Sequence, residues 1–255
     1  MPSLHLLGTG AGLLNPERNA SSYLLDLGDR DVLLDAGEPV SATLARRDFD
    51  WSRLHGIVIT HTHADHCGGL PMLVQQLHLS GRTNPLDVYG PPEYVQRLRE
   101  HWGVHYLLHE AMKFEVRPHA LDSGVPFELC GVSFLPSPTQ HLQPAAGKVA
   151  EFGYPNRCEA FALRMQINAV ALFYSGDVGS FDDVRTQMDD CHLCVLDSTH
   201  VDLGDIMAWA ADHPETELIL SHVVPGFDER TLVADLRRRG VQNVALAVEG
   251  RVIAI

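Results

Sequence analysis

Three histidines and one aspartate fall within six consecutive positions, directly after a run of apolar residues. The run Gly56–Thr60 predicts a buried strand, and the ligand-type side chains follow it as His61, His63, Asp65 and His66. Because alternate residues of an extended chain share a face, His61 and His63 can converge on one ion. Asp65 and His66 then lie in the turn before a helix, where they can face a second ion. Imidazole and carboxylate form a donor set that Zn²⁺ accepts readily, with Mn²⁺ or Fe²⁺ as alternatives.

Four ligands do not complete two metal ions, and three further candidates follow predicted strands later in the chain. They are His141, Asp177 and His222. The carboxyl ends of strands are where layered α/β folds usually build their sites. Taken singly, His141 also fits an ordinary loop histidine, and Asp177 fits a turn residue after Ser175-Gly176. Taken with the first motif, the three complete a predicted binuclear metal site.

Short apolar runs that could position these ligands recur along the whole chain, separated by Gly, Pro and Asp residues. The predicted strands are Leu4–Leu7, Tyr23–Leu27, Val32–Leu34, Gly56–Thr60, Asp87–Tyr89, Val132–Pro136, Ala160–Ile167, Ala169–Tyr174, Leu193–Leu196, Glu217–Leu220, Val244–Ala247 and Val252–Ile255. The predicted helices are Pro39–Arg47, Leu70–Leu79, Glu93–Trp102, Phe181–Met188, Leu203–His213 and Glu229–Arg239. So many strands, alternating with helices in the second half, indicate two packed sheets in one α/β domain over residues 1–255.

Three other histidines have a regular spacing. His101, His105 and His109 fall four apart, so on a continuous helix they would share one face. A third metal site is one interpretation. Because Gly103 is expected to interrupt the helix and Glu110 is the one nearby carboxylate, we favour a role at the surface or at a pocket rim.

The composition is that of a globular enzyme-sized chain. Its 255 residues are 45% hydrophobic and 20% charged, and 19 Lys+Arg against 33 Asp+Glu give a net charge of −14. A chain this acidic lacks the overall basic footprint of a nucleic-acid-binding protein. Five scattered cysteines favour a reducing compartment. We find neither a signal peptide nor a long apolar run, so the expected location is cytoplasmic, without a membrane partner.

The segment His61-Thr-His63-Ala-Asp65-His66 resembles the signature of the metallo-β-lactamase-fold hydrolases, and the later His141, Asp177 and His222 fall in the order that this family uses. The openings Leu7-Gly8-Thr9-Gly10-Ala11-Gly12 and Arg18-Asn19-Ala20-Ser21-Ser22 resemble the ribonuclease Z-like branch, which includes phosphodiesterases. The resemblance covers nearly the whole chain. It implies an α/β (α+β) fold, the four-layer αββα sandwich, and a branch in which homodimers are common.

The resemblance also implies a role for each ligand. It assigns one ion to His61, His63 and His141, the other to Asp65, His66 and His222, and a bridging position to Asp177. It makes Asp35 a plausible partner that orients a ligand histidine. A strand-ending aspartate before a turn glycine is an equal alternative for Asp35.

Two such ions would hold a hydroxide between them and clamp the oxygens of a phosphodiester, although lactones, thioesters or amides would suit the same chemistry. The catalytic candidates are Asp65, which is also a ligand, and Asp197 and His200, as proton donors to the leaving group. The alternative for Asp197 and His200 is an N-cap cluster ahead of the helix Leu203–His213.

These observations favour a phosphodiesterase that acts on a small or nucleotide-type diester. The chain departs from ribonuclease Z because only 35 residues, Leu142 to Gly176, separate His141 from Asp177, with no long basic arm for gripping tRNA. Within them, Gln143–Arg157 is predicted to be a mobile flap. A tRNA 3′-end endonuclease is therefore the alternative, with RNA possible but not favoured. A non-hydrolytic metal-binding accessory protein is the third hypothesis.

Overall fold

The structure, a computed structural model, describes residues 1–255 and divides into two compact units. Unit 1 consists of Met1–Asp122 together with Glu249–Ile255, and unit 2 consists of Ser123–Val248. Each unit contains one seven-stranded sheet. The organisation of the chain as a single domain stays a prediction.

The sheet of unit 1 has the strand order β14-β1-β2-β3-β4-β5-β6. Its strands are β1 (Ser3–Gly8), β2 (Ser22–Asp26), β3 (Asp31–Leu34), β4 (Leu54–Val58), β5 (Leu86–Gly90), β6 (Val116–Ala120) and β14 (Val252–Ala254). Pairing is antiparallel from β14 to β3 and parallel from β3 to β6. Because β3 and β4 are parallel, the residues that follow them emerge at the same edge of the sheet.

The helices of unit 1 are α1 (Val40–Ala45), α2 (Ala64–Cys67), α3 (Leu70–Leu79), α4 (Pro92–Val95) and α5 (Leu98–Val104). In α3 the buried residues are Leu70, Leu73, Val74 and Leu77, the spacing of one apolar face. That face joins a core cluster with the buried side chains of β3 and β4. The core therefore anchors both ends of the segment that contains the first metal motif.

The sheet of unit 2 repeats the same pattern, antiparallel from β7 to β10 and parallel from β10 to β13. Its strands are β7 (Phe127–Leu129), β8 (Val132–Pro138), β9 (Phe161–Ile167), β10 (Val170–Tyr174), β11 (Leu193–Asp197), β12 (Glu217–Ser221) and β13 (Val244–Leu246). Its helices are α6 (Ala146–Phe152), α7 (Leu203–Asp212) and α8 (Glu229–Arg239). Strands β8, β10, β11 and β12 all run the same way, so their carboxyl ends share one edge.

Several sequence predictions are wrong in detail. The helix predicted over Phe181–Met188 is only the 3₁₀ turn Phe181–Asp183, because the Asp183 carboxylate accepts hydrogen bonds from the backbone of Gly179 and Gln140. The predicted flap Gln143–Arg157 contains helix α6, which ends at Gly153 in the left-handed region, φ 69°.

Two further differences concern short elements. The helix predicted over Glu93–Trp102 is split into α4 and α5, with Arg97 outside helical geometry at φ −112°, ψ 4°. Strands β6 and β7 were not predicted, because both are short and β6 has no buried side chain to produce an apolar alternation. No helix in the structure has the length and apolar character needed to cross a membrane.

Candidate metal centre

The first ligand cluster lies where β4 ends and α2 begins. The chain stays extended beyond β4, because the backbone N–H of Ile59 donates to Tyr89 O at 2.9 Å. His63 is the N-cap of α2, with extended φ −63° and ψ 147°. Asp65 and His66 therefore lie within a short helix rather than in a turn before it. The imidazoles of His61 and His66 have ring centroids 4.1 Å apart, which brings the two ends of the motif together.

Asp35 joins this cluster through hydrogen bonds. Its carboxylate is fully buried, accepts the Thr60 N–H at 2.7 Å and lies 2.7 Å from His66 Nδ1. Because a carboxylate accepts hydrogen bonds, Nδ1 of His66 carries the proton and Nε2 has the lone pair for a metal. That Nε2 atom lies 3.6 Å from Asp65 Oδ2. Of the two alternatives for Asp35, the structure supports the one in which it orients a ligand histidine.

Replacing Asp35 with asparagine is expected to weaken zinc binding by about 10- to 100-fold, the usual effect of losing a carboxylate behind a ligand histidine. The amide can present its oxygen to Thr60 or to His66, but it has no charge to raise the basicity of the imidazole. Titration of the chelator-stripped protein with zinc against a competing indicator measures the effect. Asp87→Asn, which removes the carboxylate partner of the more exposed His119, is the matched control and should leave zinc affinity unchanged.

The backbone around Gly37 packs directly against the metal motif. A Cβ atom at Gly37 would lie 2.2 Å from the carbonyl oxygen of Asp65 and 2.7 Å from the carbonyl carbon of Ala20. The neighbouring Ala36 N–H donates to His66 O at 2.6 Å. Glycine is therefore required here by its close approach to the backbone of Asp65, a metal-ligand candidate, and to that of Ala20.

We expect Gly37→Ala to lower the free energy of unfolding by about 2 kcal/mol, as overpacking does, and to weaken metal binding as the motif shifts. Denaturant unfolding with and without zinc separates the two effects. Gly103→Ala is the control, because a Cβ atom at Gly103 meets no atom within 4 Å. Equal stability of the two variants would contradict the proposed close packing.

The second cluster lies at the shared edge of β8, β10, β11 and β12 in unit 2. Asp177 is buried, and its Oδ2 atom is 3.4 Å from His141 Nε2 and 3.4 Å from His222 Nε2. Two donors bound at about 2.0–2.1 Å to one tetrahedral zinc ion are themselves about 3.4 Å apart. The donor types and the separations in both clusters thus fit divalent metal ions.

His222 has an unusual backbone conformation. Its φ is 56°, in the left-handed region that a non-glycine residue adopts at a cost of about 1–3 kcal/mol. The carbonyl of His222 accepts a hydrogen bond from Thr199 Oγ1, and Ser198 N–H donates to Ser221 O at 2.9 Å. These contacts between the ends of β11 and β12 hold the strained residue, so that its imidazole reaches Asp177.

Asp197 and His200 also belong to the second cluster. Asp197 is buried and lies 2.7 Å from His200 Nδ1 and 3.4 Å from His222 Nδ1. Burial alone would raise the pKa of the Asp197 carboxyl, but its hydrogen bond to His200 and its close contact with His222 outweigh burial and hold the pKa well below its usual range. The hydrogen bond to Asp197 in turn raises the pKa of His200. Asp202, and not Asp197, caps α7 by accepting the Gly204 N–H.

The structure thus places His61, His63, Asp65 and His66 together in unit 1, and His141, Asp177, Asp197, His200 and His222 together in unit 2. Sequence reasoning did not single out Thr60, whose N–H and hydroxyl both donate to Asp35. A threonine at a strand end gives no signal that separates this role from ordinary strand preference.

The three regularly spaced histidines do not form a third metal cluster. Helix α5 continues through Gly103, contrary to prediction, but it ends at Val104. His109 lies in a separate 3₁₀ turn, where its ring packs against Trp102 at a centroid distance of 5.0 Å. The rings of His101 and His105 remain neighbours, with centroids 5.7 Å apart.

Comparison with known proteins identifies the family. Residues 30–223 match the model of the beta-lactamase superfamily domain. Ribonuclease Z of Porphyromonas gingivalis is 33% identical over 176 residues, which are 68% of this chain and 55% of that protein. The chain thus spans about half the length of the curated relative that it matches.

Solved structures show the same fold. The metallo-beta-lactamase fold protein YhfI of Bacillus subtilis has a TM-score of 0.77 at 18% identity, with all of both chains covered. A diphosphatase from the PhnP family has a TM-score of 0.71 at 18% identity, covering 100% of this chain and 98% of that one. The predicted α/β class and metallo-β-lactamase fold are confirmed. The chain belongs to the beta-lactamase superfamily of metallo-β-lactamase-fold hydrolases and, within it, to the ribonuclease Z-like branch.

Proposed function

We propose that the chain is a metal-dependent phosphodiesterase whose two ligand clusters supply one binuclear centre. The observation that carries the proposal is the complete ligand set of the family, present as two clusters with donor separations of 3.4–3.6 Å. The proposed ligands are His61, His63 and His141 for one ion, Asp65, His66 and His222 for the other, and Asp177 for both. Zinc is the proposed metal, with manganese or iron as alternatives.

Two divalent ions would supply an acidified water and positive charge for the phosphoryl oxygens. Their charge of +4 exceeds the −2 of Asp65 and Asp177, so the site attracts an anion although the chain carries −14 overall. Asp35 keeps the Nδ1 proton of His66 in place. Asp197 does the same for His200 and remains ionised beneath it.

His200 is the proposed proton donor to the leaving group. Because Asp197 accepts from Nδ1, the second ring nitrogen Nε2 is the atom that can give a proton to an alkoxide. The side chain is 34% exposed, whereas that of Asp197 is fully buried. Asp197 is therefore proposed as a positioning residue, and His200 as the group that touches the substrate.

The substrate that we propose is a small or nucleotide-type diester. The segment between His141 and Asp177 is occupied by α6, β9 and β10, and it contains three basic and two acidic residues, namely Lys148, Arg157, Arg164, Glu151 and Glu159. It has neither the length nor the charge of an arm that grips a polynucleotide.

One observation favours a second candidate, a tRNA 3′-end endonuclease. The similarity to ribonuclease Z of P. gingivalis covers 68% of this chain at 33% identity. Cleavage of a tRNA precursor, with binding that falls steeply as salt rises, would favour this candidate. Binding without a salt slope, and no cleavage, would leave the small diester as the substrate class.

The test of the proposed function is hydrolysis of bis(p-nitrophenyl) phosphate by protein loaded with Zn²⁺ or Mn²⁺. We expect turnover that a chelator abolishes and the metal restores, and that His63→Ala removes. His55→Ala is a matched control, since His55 lies in β4 and its Nδ1 contacts the Arg53 carbonyl. Bound metal with no turnover would contradict the proposal and favour lactone or thioester substrates, or a non-hydrolytic accessory role.

A further inference from the structure

Unit 1 contains a cavity of about 480 Å³ directly beside the first metal motif. Its walls come from the loop before α2, from α2 and α3, and from α5 with the residues that follow it. The lining side chains on which the argument depends are those of Thr62, Cys67, Met72, Gln75, His101 and His105. This volume lies in the range of about 300–1,000 Å³ that small-molecule sites occupy.

Several residues that line the cavity are sequence neighbours of the proposed metal ligands. Thr62, Ala64 and Cys67 line it. Thr62 and Ala64 flank the ligand candidate His63, and Cys67 follows the ligand candidate His66. The Cys67 thiol donates to the Thr62 carbonyl at 3.5 Å, which ties the two lining residues together. A substrate group held in the cavity would therefore lie against the segment that contains the ligand candidates, although none of the ligand side chains is part of the lining.

The lining is suited to an uncharged ring rather than to an anion. No lysine or arginine lines the cavity, and its one acidic residue is Glu38. Burial, followed by the nearby His105, lowers the pKa of His101, which favours its neutral form. An additional phosphate would meet a carboxylate and no cation, which disfavours it.

The side chains in and around the cavity offer both stacking and hydrogen bonds. The rings of His101 and His105 lie edge to face, with centroids 5.7 Å apart and planes at 77°. The Tyr94 ring also neighbours His101, with ring centroids 6.0 Å apart and planes at 60°. Met72 provides a polarisable thioether and Gln75 an amide that can both donate and accept.

We propose that this cavity binds the nucleobase of a nucleotide-type diester, with His101 and His105 against the ring and Gln75 on its polar edge. The proposal rests on the proposed function and deepens it by naming the substrate class. Specificity toward nucleosides would then come from α3 and α5, and not from the metal ligands.

Two substrates with the same leaving group test the proposal. Thymidine 5′-(p-nitrophenyl phosphate) contains a base, and methyl p-nitrophenyl phosphate does not. We expect the metal-loaded enzyme to prefer the thymidine ester, and His101→Ala or Gln75→Ala to lower kcat/KM for it by about tenfold, mainly through KM, the scale of pocket discrimination. The same variants should hydrolyse the methyl ester at a rate within about twofold of that of the parent enzyme.

Two more variants sharpen the result. Met72→Trp fills the cavity from a position that is 49% exposed, so it should fold and remove the preference. Gln76→Ala alters the neighbouring glutamine of α3, which does not line the cavity. This variant should leave kcat/KM unchanged for both esters. Equal losses on both esters, or an unchanged thymidine preference in His101→Ala and Met72→Trp, would overturn the proposal.

A binding measurement separates this inference from the proposed function. Histidine NMR signals of the metal-loaded protein are followed as thymidine, which has no phosphate, is added. Shifts at His101 and His105 that are absent in Met72→Trp support the cavity assignment even if neither ester is hydrolysed, in which case the proposed function alone fails. Hydrolysis of both esters with no shift and no thymidine preference overturns the cavity assignment and leaves the proposed function standing.

Discussion

Asp177→Asn is expected to lower kcat/KM for phosphodiester hydrolysis by more than about a thousandfold, because it removes the charge of the carboxylate that lies 3.4 Å from the Nε2 atoms of both His141 and His222. The amide has nearly the same size, so the buried site keeps its packing. Asparagine lacks the negative charge that would balance the charge of two bound cations. We therefore expect the content of bound metal to fall with activity when both are measured on the same preparation.

Asp182→Asn is the control for Asp177→Asn. Asp182 lies five residues further along the chain with a side chain that is 83% exposed, and it contacts only Arg185 on its own turn. Its replacement should leave metal content and rate unchanged. If Asp177→Asn retained two ions and the parent rate, Asp177 would not be a metal ligand, and the assignment of the second cluster would be wrong.

His200→Ala is expected to have an effect that depends on the leaving group. An alkoxide needs a proton as it departs, so the rate with an alkyl leaving group should fall by about 10²–10⁴-fold, the usual contribution of a general acid. p-Nitrophenolate departs without a proton, so its release should fall by less than about tenfold. The measurement is kcat for a nucleotide dimer against kcat for a p-nitrophenyl ester of the same nucleotide.

The leaving-group dependence distinguishes a proton donor from a structural residue. Loss of packing or of metal would slow both substrates alike, and equal losses would therefore refute the proposed role of His200. His192→Ala is the matched control in unit 2, because His192 is exposed and its Nδ1 accepts only the Ala171 N–H. His192→Ala should leave kcat unchanged with both substrates.

The parts of the fold that could be predicted from sequence are those with local signals. Helices α3 and α8 have the predicted bounds, Leu70–Leu79 and Glu229–Arg239. Their apolar spacing is regular, and residues that favour the start and the end of a helix flank each of them. The first metal motif was found for the same reason, since its ligand-type residues follow one apolar strand in a single short segment. That cluster could be predicted because its residues are close together in the sequence.

The parts that could not be predicted depend on contacts between distant residues. The family resemblance implied that Asp35 orients a ligand histidine, but its partner could not be predicted, because Asp35 and His66 are 31 positions apart and the parallel pairing of β3 with β4 brings their side chains to 2.7 Å. The strand β14 pairs with β1 from the other end of the chain. The helix predicted over residues 181–188 is likewise absent because Asp183 accepts a tertiary hydrogen bond from the Gln140 N–H. Local helix propensity contains no information on such a bond.

The binuclear centre is tested most directly by anomalous diffraction at the zinc edge from crystals of the zinc-loaded protein. We predict two peaks about 3.5–4 Å apart, the spacing of two-metal hydrolytic sites. The first should be bounded by His61, His63 and His141, the second by Asp65, His66 and His222, and Asp177 should contact both. The absence of zinc, or zinc bound by other residues than these, would contradict this assignment.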